Sequence, residues 1–357
     1  IGVATTCLTE TIGDNLPMLL AEYVKEYGGP DSPRLIQVST PSYSGTHMEG
    51  FHAAVRATVM ALADTRPANQ TINLLPGFVS PADIRYLRGV CDDFGLAATI
   101  LPDISDTLDG PAQDDYPLIP AGGTPLAAIA AMGGARATVE LGATLPADTA
   151  GSWLEKSHGT PLHRIGLPLG IRATDRFFAL LGELSGQEIP AQHLATRGRL
   201  VDAMVDGHKY IFGKRAVVYG EEDLVVGLTS FLAEIGIIPV LCASGGKSGR
   251  MGEAIAATLE GLSEDLPEVH EDVDFFDIEN LAAELGVDLV VGHSKGYTFA
   301  RREGLPLIRV GFPIHDRIGG QRILHLGYHG AQALFDLITN TCIEKQQNDS
   351  PVGYSYM

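Results

Sequence analysis

Short apolar runs alternate with helix-length amphipathic stretches from one end of the 357-residue chain to the other, and this order limits the possible folds more than any other feature. Residues 1–5, 35–39, 72–75 and 96–101 have strand character. The first intervening stretch puts Leu16, Leu19, Leu20, Tyr23, Val24 and Tyr27 on one helical face, and Gly28-Gly29-Pro30 stops it. The second carries Phe51, Val55, Val59 and Leu62 in the same way. Ser80 can cap a third helix, with Pro81 at its first position and Asp83 in its first turn. Strands that recur after helical crossovers form parallel sheets with helices on both faces, so the chain is of the α/β class.

The pattern loosens from about residue 102 to 212. Asp109-Gly110-Pro111 and Ala121-Gly122-Gly123 read as turns, Thr124-Pro125 starts a helix, and 137–141 has strand character. Two longer helical patterns follow near 174–184 and 193–209. Beyond them the alternation returns, with strands expected at 215–219, 237–242, 273–276, 288–291 and 307–310 and a last helix near 331–344. At about 150 residues per domain the length suits two or three domains. The expected division is 1–105 and 106–212, then 213–345, then a polar tail at 346–357. Residues 224–243 are apolar enough to raise a membrane helix, but Gly236 and Pro239 interrupt them, and a helix running into a buried strand accounts for them better.

Composition narrows the function. Forty-four acids against 25 bases give a net charge of −19, which argues against a phosphate-tracking surface and hence against nucleic acid as a partner. Four cysteines in so long a chain do not make a disulfide framework and suit a reducing cytoplasm. No signal peptide is visible. Residues 1–5 already read as a core strand, so an upstream segment is expected to precede them.

In parallel sheets, ligands bind outside the carboxyl ends of strands. Five loops qualify: 5–7, 40–47, 244–249, 292–296 and 311–316. Cys7 and Ser42 follow strands of the same expected sheet, so both should emerge on one edge, within reach of a shared ligand. A thiolate is the usual iron–sulfur ligand, and a deprotonated serine oxygen could serve a cluster that changes redox state. A buried structural thiol beside a loop-capping serine is the alternative, since one cysteine cannot hold a cluster. Cys91, Cys242 and Cys342 fall in a helix, a strand and a helix, as packed core residues do. Gly245-Gly246-Lys247-Ser248 has the ending of a phosphate loop, but Leu241 stands where the leading glycine belongs, so ATP binding is not expected. His293 and His315 could act as acid–base groups or form a polar floor beneath a cleft. No paired-cysteine or His-Glu-x-x-His pattern points to zinc.

The stretch Thr5-Thr6-Cys7-Leu8-Thr9-Glu10-Thr11-Ile12-Gly13-Asp14 resembles the surroundings of a P-cluster cysteine in β chains of the nitrogenase component 1 family. Thr40-Pro41-Ser42-Tyr43-Ser44-Gly45-Thr46-His47 resembles the following loop of that family, which carries a serine able to ligate the same cluster, and the 35-residue separation matches as well. Leu74-Leu75-Pro76-Gly77-Phe78, Arg197-Gly198-Arg199-Leu200-Val201-Asp202, Gly213-Lys214-Arg215 and Val310-Gly311-Phe312-Pro313-Ile314 look like further family landmarks, so the likeness spans nearly the whole chain.

The resemblance implies three Rossmann-like, doubly wound parallel-sheet domains and an obligate α-type partner in an α2β2 assembly. It also implies an 8Fe-7S P-cluster bridging the two subunits, with Cys7 as a thiolate ligand and Ser42 as a redox-dependent one. An ATP-hydrolysing iron protein would deliver electrons, and the iron–molybdenum cofactor that reduces dinitrogen would lie in the α subunit. Two further cysteine ligands should precede this segment in the family pattern and are absent from these residues. The paralogous scaffold NifN shares the fold but is expected often to lack the cysteine at position 7, and a related reductase of another substrate could keep the Cys7–Ser42 pair. A non-catalytic binding module would instead need Cys7 buried away from any interface and the chain monomeric.

Overall fold

A computed structural model describes residues 1–29, 32–43, 45–115, 117–119 and 121–352. Of the residues singled out in the sequence, Pro30, Ser44 and the end of the tail at 353–357 lie outside them. All strand pairings are parallel and fall into three sheets. The first holds only β1 (Gly2–Ala4) and β2 (Ile36–Val38), in the register Gly2↔Ile36, Val3↔Gln37 and Ala4↔Val38. The second holds β3 (Ile72–Leu75), β4 (Ala98–Ile100), β5 (Ala137–Leu141) and β6 (Leu162–Ile165), in the order β4-β3-β5-β6. The third holds β7 (Arg215–Tyr219), β8 (Ile238–Ala243), β9 (Glu268–His270), β10 (Leu289–Gly292) and β11 (Leu307–Arg309). Its order, β9-β8-β7-β10-β11, winds outward both ways from β7 and is the doubly wound Rossmann arrangement.

The α/β class therefore stands, but the grouping of strands differs from expectation. The four strands before residue 105 do not share a sheet: β3 pairs with β5, across the expected boundary, and β1–β2 stand apart. Pairing across a long connection is set by which apolar faces meet, and local pattern carries no record of that. The strand expected at 273–276 is the start of helix Phe275–Glu284, and the strand itself is β9. Asp274 decides the matter, because its carboxylate caps the amides of Phe276 and Asp277. β6 was not expected, since His163 and Arg164 break its apolar run. The last helix, Gly327–Asp349, runs past residue 346, where the tail was expected to begin.

Elsewhere the local chemistry acts as expected. Ser80 caps helix Pro81–Asp93 in a reciprocal box with Asp83. Residues 224–243 divide into helix Glu222–Glu234 and β8, and among the described residues no helix is long and apolar enough to cross a membrane. One core of buried side chains joins the second and third sheets, including Phe94, Phe177, Phe178, Phe231 and Phe335. Helix His47–Leu62 lies against β2, which it follows in sequence, and also joins the second sheet, where Val59 shares a buried cluster with Leu75, Leu101 and Leu154.

Candidate metal centre

The first sheet is small, and its two strand ends carry the candidate ligands. β1 leads through Thr5 and Thr6 into the short helix Cys7–Thr11, which Thr6 caps reciprocally with Thr9. Cys7 is the first helical residue. β2 leads through Ser39, Thr40 and Pro41 to Ser42. Because the strands are parallel, both exits lie on one edge, and Cys7 Sγ sits 2.7 Å from Ser42 Oγ. The Ser42 amide also donates to the same sulfur at 3.1 Å. A backbone seam holds the exits together: the Thr5 amide donates to Val38 O at 3.0 Å, and Thr40 Oγ1 donates to Thr5 O at 2.8 Å.

This environment favours the charged sulfur. The Ser42 hydroxyl, followed by the Ser42 amide, holds the Cys7 thiol below its ordinary pKa. The other three cysteines behave oppositely: burial pushes Cys91 and Cys242 up to about 12 and raises Cys342. Cys7 is partly accessible where the other three are buried, so it is not the buried structural thiol of the alternative reading. A soft thiolate with a hard hydroxyl oxygen beside it suits one edge of an iron–sulfur cluster. Among the described residues no group of three or more His, Cys, Asp or Glu side chains is placed to hold a metal ion, so the pair fits a share of a cluster and not a whole one.

The other candidate loops are engaged internally. The Ser248 amide donates to Glu222 at 2.9 Å, while the amides of Gly249 and Met251 donate to Glu271 at 2.5 and 2.9 Å. Lys247 pairs with Asp272 at 2.5 Å. Carboxylates thus occupy the donors that a phosphate would need. Burial lowers the His293 pKa, with Lys295 and His315 adding to the effect. The Nδ1 of His293 accepts the Lys295 amide at 3.3 Å, and its carbonyl accepts the Tyr219 hydroxyl. That is the polar-floor arrangement rather than an acid–base pair.

Two features near the site were not anticipated. Glu10 receives both the Thr5 and the Ser39 hydroxyls, each at 2.5 Å. At the other end of the Ser42 loop, His47 Nε2 meets Glu221 Oε1 at 2.6 Å and ties the first sheet's connection to the third sheet. Phe51, Phe78 and Phe312 reinforce that junction, with ring centroids 5.4 and 5.9 Å apart in turn. Two of these rings belong to the landmark stretches 74–78 and 310–314, so sequence could have flagged them but not their meeting.

The surface beside Cys7 is apolar and uncovered. Helix Leu16–Tyr27 buries none of its residues, and Met18, Leu19, Tyr23, Val24 and Tyr27 are each about half or more exposed. Leu8, Ile12 and Tyr43 extend this surface around the thiol. An apolar stripe of that size marks an interaction face.

Residues 1–343 match the family model of nitrogenase component 1 type oxidoreductases. The chain is 35% identical over 350 residues to the nitrogenase molybdenum-iron protein beta chain of Clostridium pasteurianum, covering 98% of this chain and 76% of that one. It is 33% identical over 358 residues to the iron-molybdenum cofactor biosynthesis protein NifN of Bradyrhizobium diazoefficiens, covering 98% and 74%. The solved structure of nitrogenase Cp1 at pH 6.5 superposes with a TM-score of 0.95 at 34% identity, over all of this chain and 78% of that one.

Proposed function

The chain belongs to the nitrogenase component 1 type oxidoreductases, and from that premise we propose that it is the β-type subunit of a molybdenum-iron protein in which Cys7 and Ser42 ligate a P-cluster. The observation that carries this reading is the 2.7 Å approach of a thiol and a hydroxyl 35 residues apart, on the exits of two parallel strands. Cys7 would bind iron as a thiolate, and Ser42 would hold its oxygen ready for the oxidised state. The other ligands of an 8Fe-7S cluster would come from an α-type subunit and from cysteines outside these residues. The apolar face of helix Leu16–Tyr27 would seat that subunit beside the thiol, in an α2β2 complex. When bound, the cluster supplies a reversible store for electrons arriving from an ATP-dependent iron protein, bound for the iron–molybdenum cofactor in the α-type subunit and the reduction of dinitrogen to ammonia. A cytoplasmic setting suits such clusters and an unpaired, accessible Cys7.

Similarity to NifN supports a second reading, a scaffold for cofactor assembly. The two part in the assembled complex. Cys7→Ala should lower the cluster's iron content and slow electron delivery, because alanine supplies neither charge nor a soft donor. Ser42→Ala should act more weakly and mainly on the oxidised state. Iron analysis and redox-poised electron paramagnetic resonance, run beside substrate-reduction assays, check both. A wild-type complex without an eight-iron cluster, or one that reduces nothing yet passes a cofactor precursor onward, would establish the scaffold instead.

A further inference from the structure

The spacing of Cys7 and Ser42 cannot come from core packing. Their strands are three residues long, their sheet has no third strand among the described residues, and the helices Cys7–Thr11 and Leu16–Tyr27 bury no residue. What fixes two loops on so thin a support is directed hydrogen bonding, and one side chain adds two bonds that tie both exits together. Glu10 Oε1 accepts the Thr5 hydroxyl, two residues before Cys7, and the Ser39 hydroxyl, three residues before Ser42. Thr5 Oγ1 in turn accepts the Thr40 amide at 2.9 Å. Glu10 also rides on the helix that Cys7 begins, so both strand exits meet at one carboxylate oxygen on the element that carries the thiol.

We propose that Glu10 is a positioning residue of the metal centre: its carboxylate clamps the two strand exits and so keeps the Ser42 hydroxyl within reach of whatever metal the Cys7 thiolate holds. The inference rests on the ligand roles proposed above, but the clamp can be tested without metal. Glu10 touches neither ligand, so its action is through Thr5 and Ser39. A charged acceptor of two short hydroxyl bonds is a strong anchor, and glutamine keeps a carbonyl oxygen in the same place while alanine keeps none.

The test measures effective concentration. In a Ser42→Cys background, the metal-free full chain is equilibrated with reduced and oxidised glutathione, and the disulfide formed with Cys7 is quantified. Two protein thiols and one oxidised glutathione give one protein disulfide and two reduced glutathiones, so the equilibrium constant reads how closely the two side chains are held. The other three cysteines are buried and serve as internal controls. Adding Glu10→Ala should lower this constant about tenfold, the worth of one hydrogen bond to a charged group. Glu10→Gln should stay within about threefold of the parent, since it retains an acceptor. In the assembled complex carrying Ser42, Glu10→Ala should diminish the Ser42-dependent resonance of the oxidised state and leave iron content unchanged. An alanine variant within twofold of the parent, or a glutamine variant that falls as far as alanine, would overturn the clamp. If instead Cys7→Ala and Ser42→Ala leave iron and spectra untouched, the ligand assignment fails, and the thiol equilibrium still judges Glu10 on its own.

Discussion

Replacing Asp83 by alanine measures how far one buried carboxylate joins the second and third sheets. Asp83 is 1% exposed. Its Oδ1 accepts the amides of His325 at 2.7 Å and Leu326 at 3.1 Å, and its Oδ2 accepts the Ser80 amide at 3.1 Å and the Ser80 hydroxyl at 2.9 Å. His325 Nδ1 lies 3.0 Å from the same Oδ2, while His325 Nε2 accepts the Gly311 amide at 2.9 Å. That last bond makes Nε2 an acceptor and assigns a hydrogen to Nδ1, which donates to Asp83. Burial raises the Asp83 carboxyl, but His325 and the surrounding donors outweigh it and leave its pKa below the ordinary value.

Alanine strands four buried donors, the amides of Ser80, His325 and Leu326 and His325 Nδ1–H, while the Ser80 hydroxyl keeps Ile323 O; each stranded donor costs about 1–3 kcal/mol. Local relaxation recovers part of that sum, so the expected loss is about 4 kcal/mol, the usual scale for breaking a buried pair. Asparagine fits the space but turns an N–H group toward Oδ2's donors. Moving the imidazole hydrogen to Nε2 would relieve one conflict and create another with the Gly311 amide, so Asp83→Asn should cost about 2 kcal/mol or more. Urea unfolding followed by fluorescence of Trp153, the single tryptophan, reports on the second sheet, where Trp153 packs against the core. An alanine variant that loses less than about 1 kcal/mol would show that water satisfies these donors and would refute the argument.

Stability should rise with pH between about 5 and 7.5, because burial lowers the pKa values of His52, His193 and His293 and the unfolded chain then binds more protons. That contribution is present above the ordinary histidine range and is lost as pH falls through the lowered values; urea midpoints for His52→Asn should show a shallower rise. Isothermal titration should find no saturable micromolar ATP binding, since Glu222, Glu271 and Asp272 occupy the donors of the 244–249 loop; micromolar binding lost on Lys247→Ala would refute this. Gly292→Ala should lower stability by about 1–3 kcal/mol in the same unfolding assay, since its Cβ would fall 2.5 Å from the Tyr219 carbonyl oxygen, which flexible side chains cannot relieve; a neutral result would mean that β7 and β10 yield more than a packed sheet should.

Most strands of the third sheet were legible because a strand buried on both faces is a near-continuous apolar run, as β10 is and β7 is after Arg215. β6 escaped notice for the converse reason, and 273–276 misled because a short apolar run suits a strand or a helix start until its capping residue is recognised. Helix Leu16–Tyr27 shows a subtler limit. Its stripe of Leu19, Tyr23, Val24 and Tyr27 reads the same whether the helix faces its own core or another chain, and only the fold shows the stripe uncovered. The Cys7–Ser42 pair was legible through the rule that ligands gather at strand ends, whereas Glu10 and the His47–Glu221 pair depend on contacts between residues far apart in sequence.

These contrasts separate two kinds of support within one chain. The second and third sheets share a continuous core sealed by the Asp83–His325 network, while the candidate centre stands on a two-stranded sheet held by hydroxyl and amide bonds beside an uncovered apolar face. Two three-residue strands are marginal alone, so the first sheet should be the least stable part of the isolated chain. Covering its apolar face would remove that exposure from water and stabilise the strand exits with it. Hydrogen exchange should therefore find fast amides in residues 1–29 of the isolated chain and slow ones in β5 and β7, and binding of an α-type subunit should slow the first group selectively. Equal protection of all three sheets in the isolated chain would show that the hydrogen-bonded seam suffices without a partner, and the apolar face would then need another explanation.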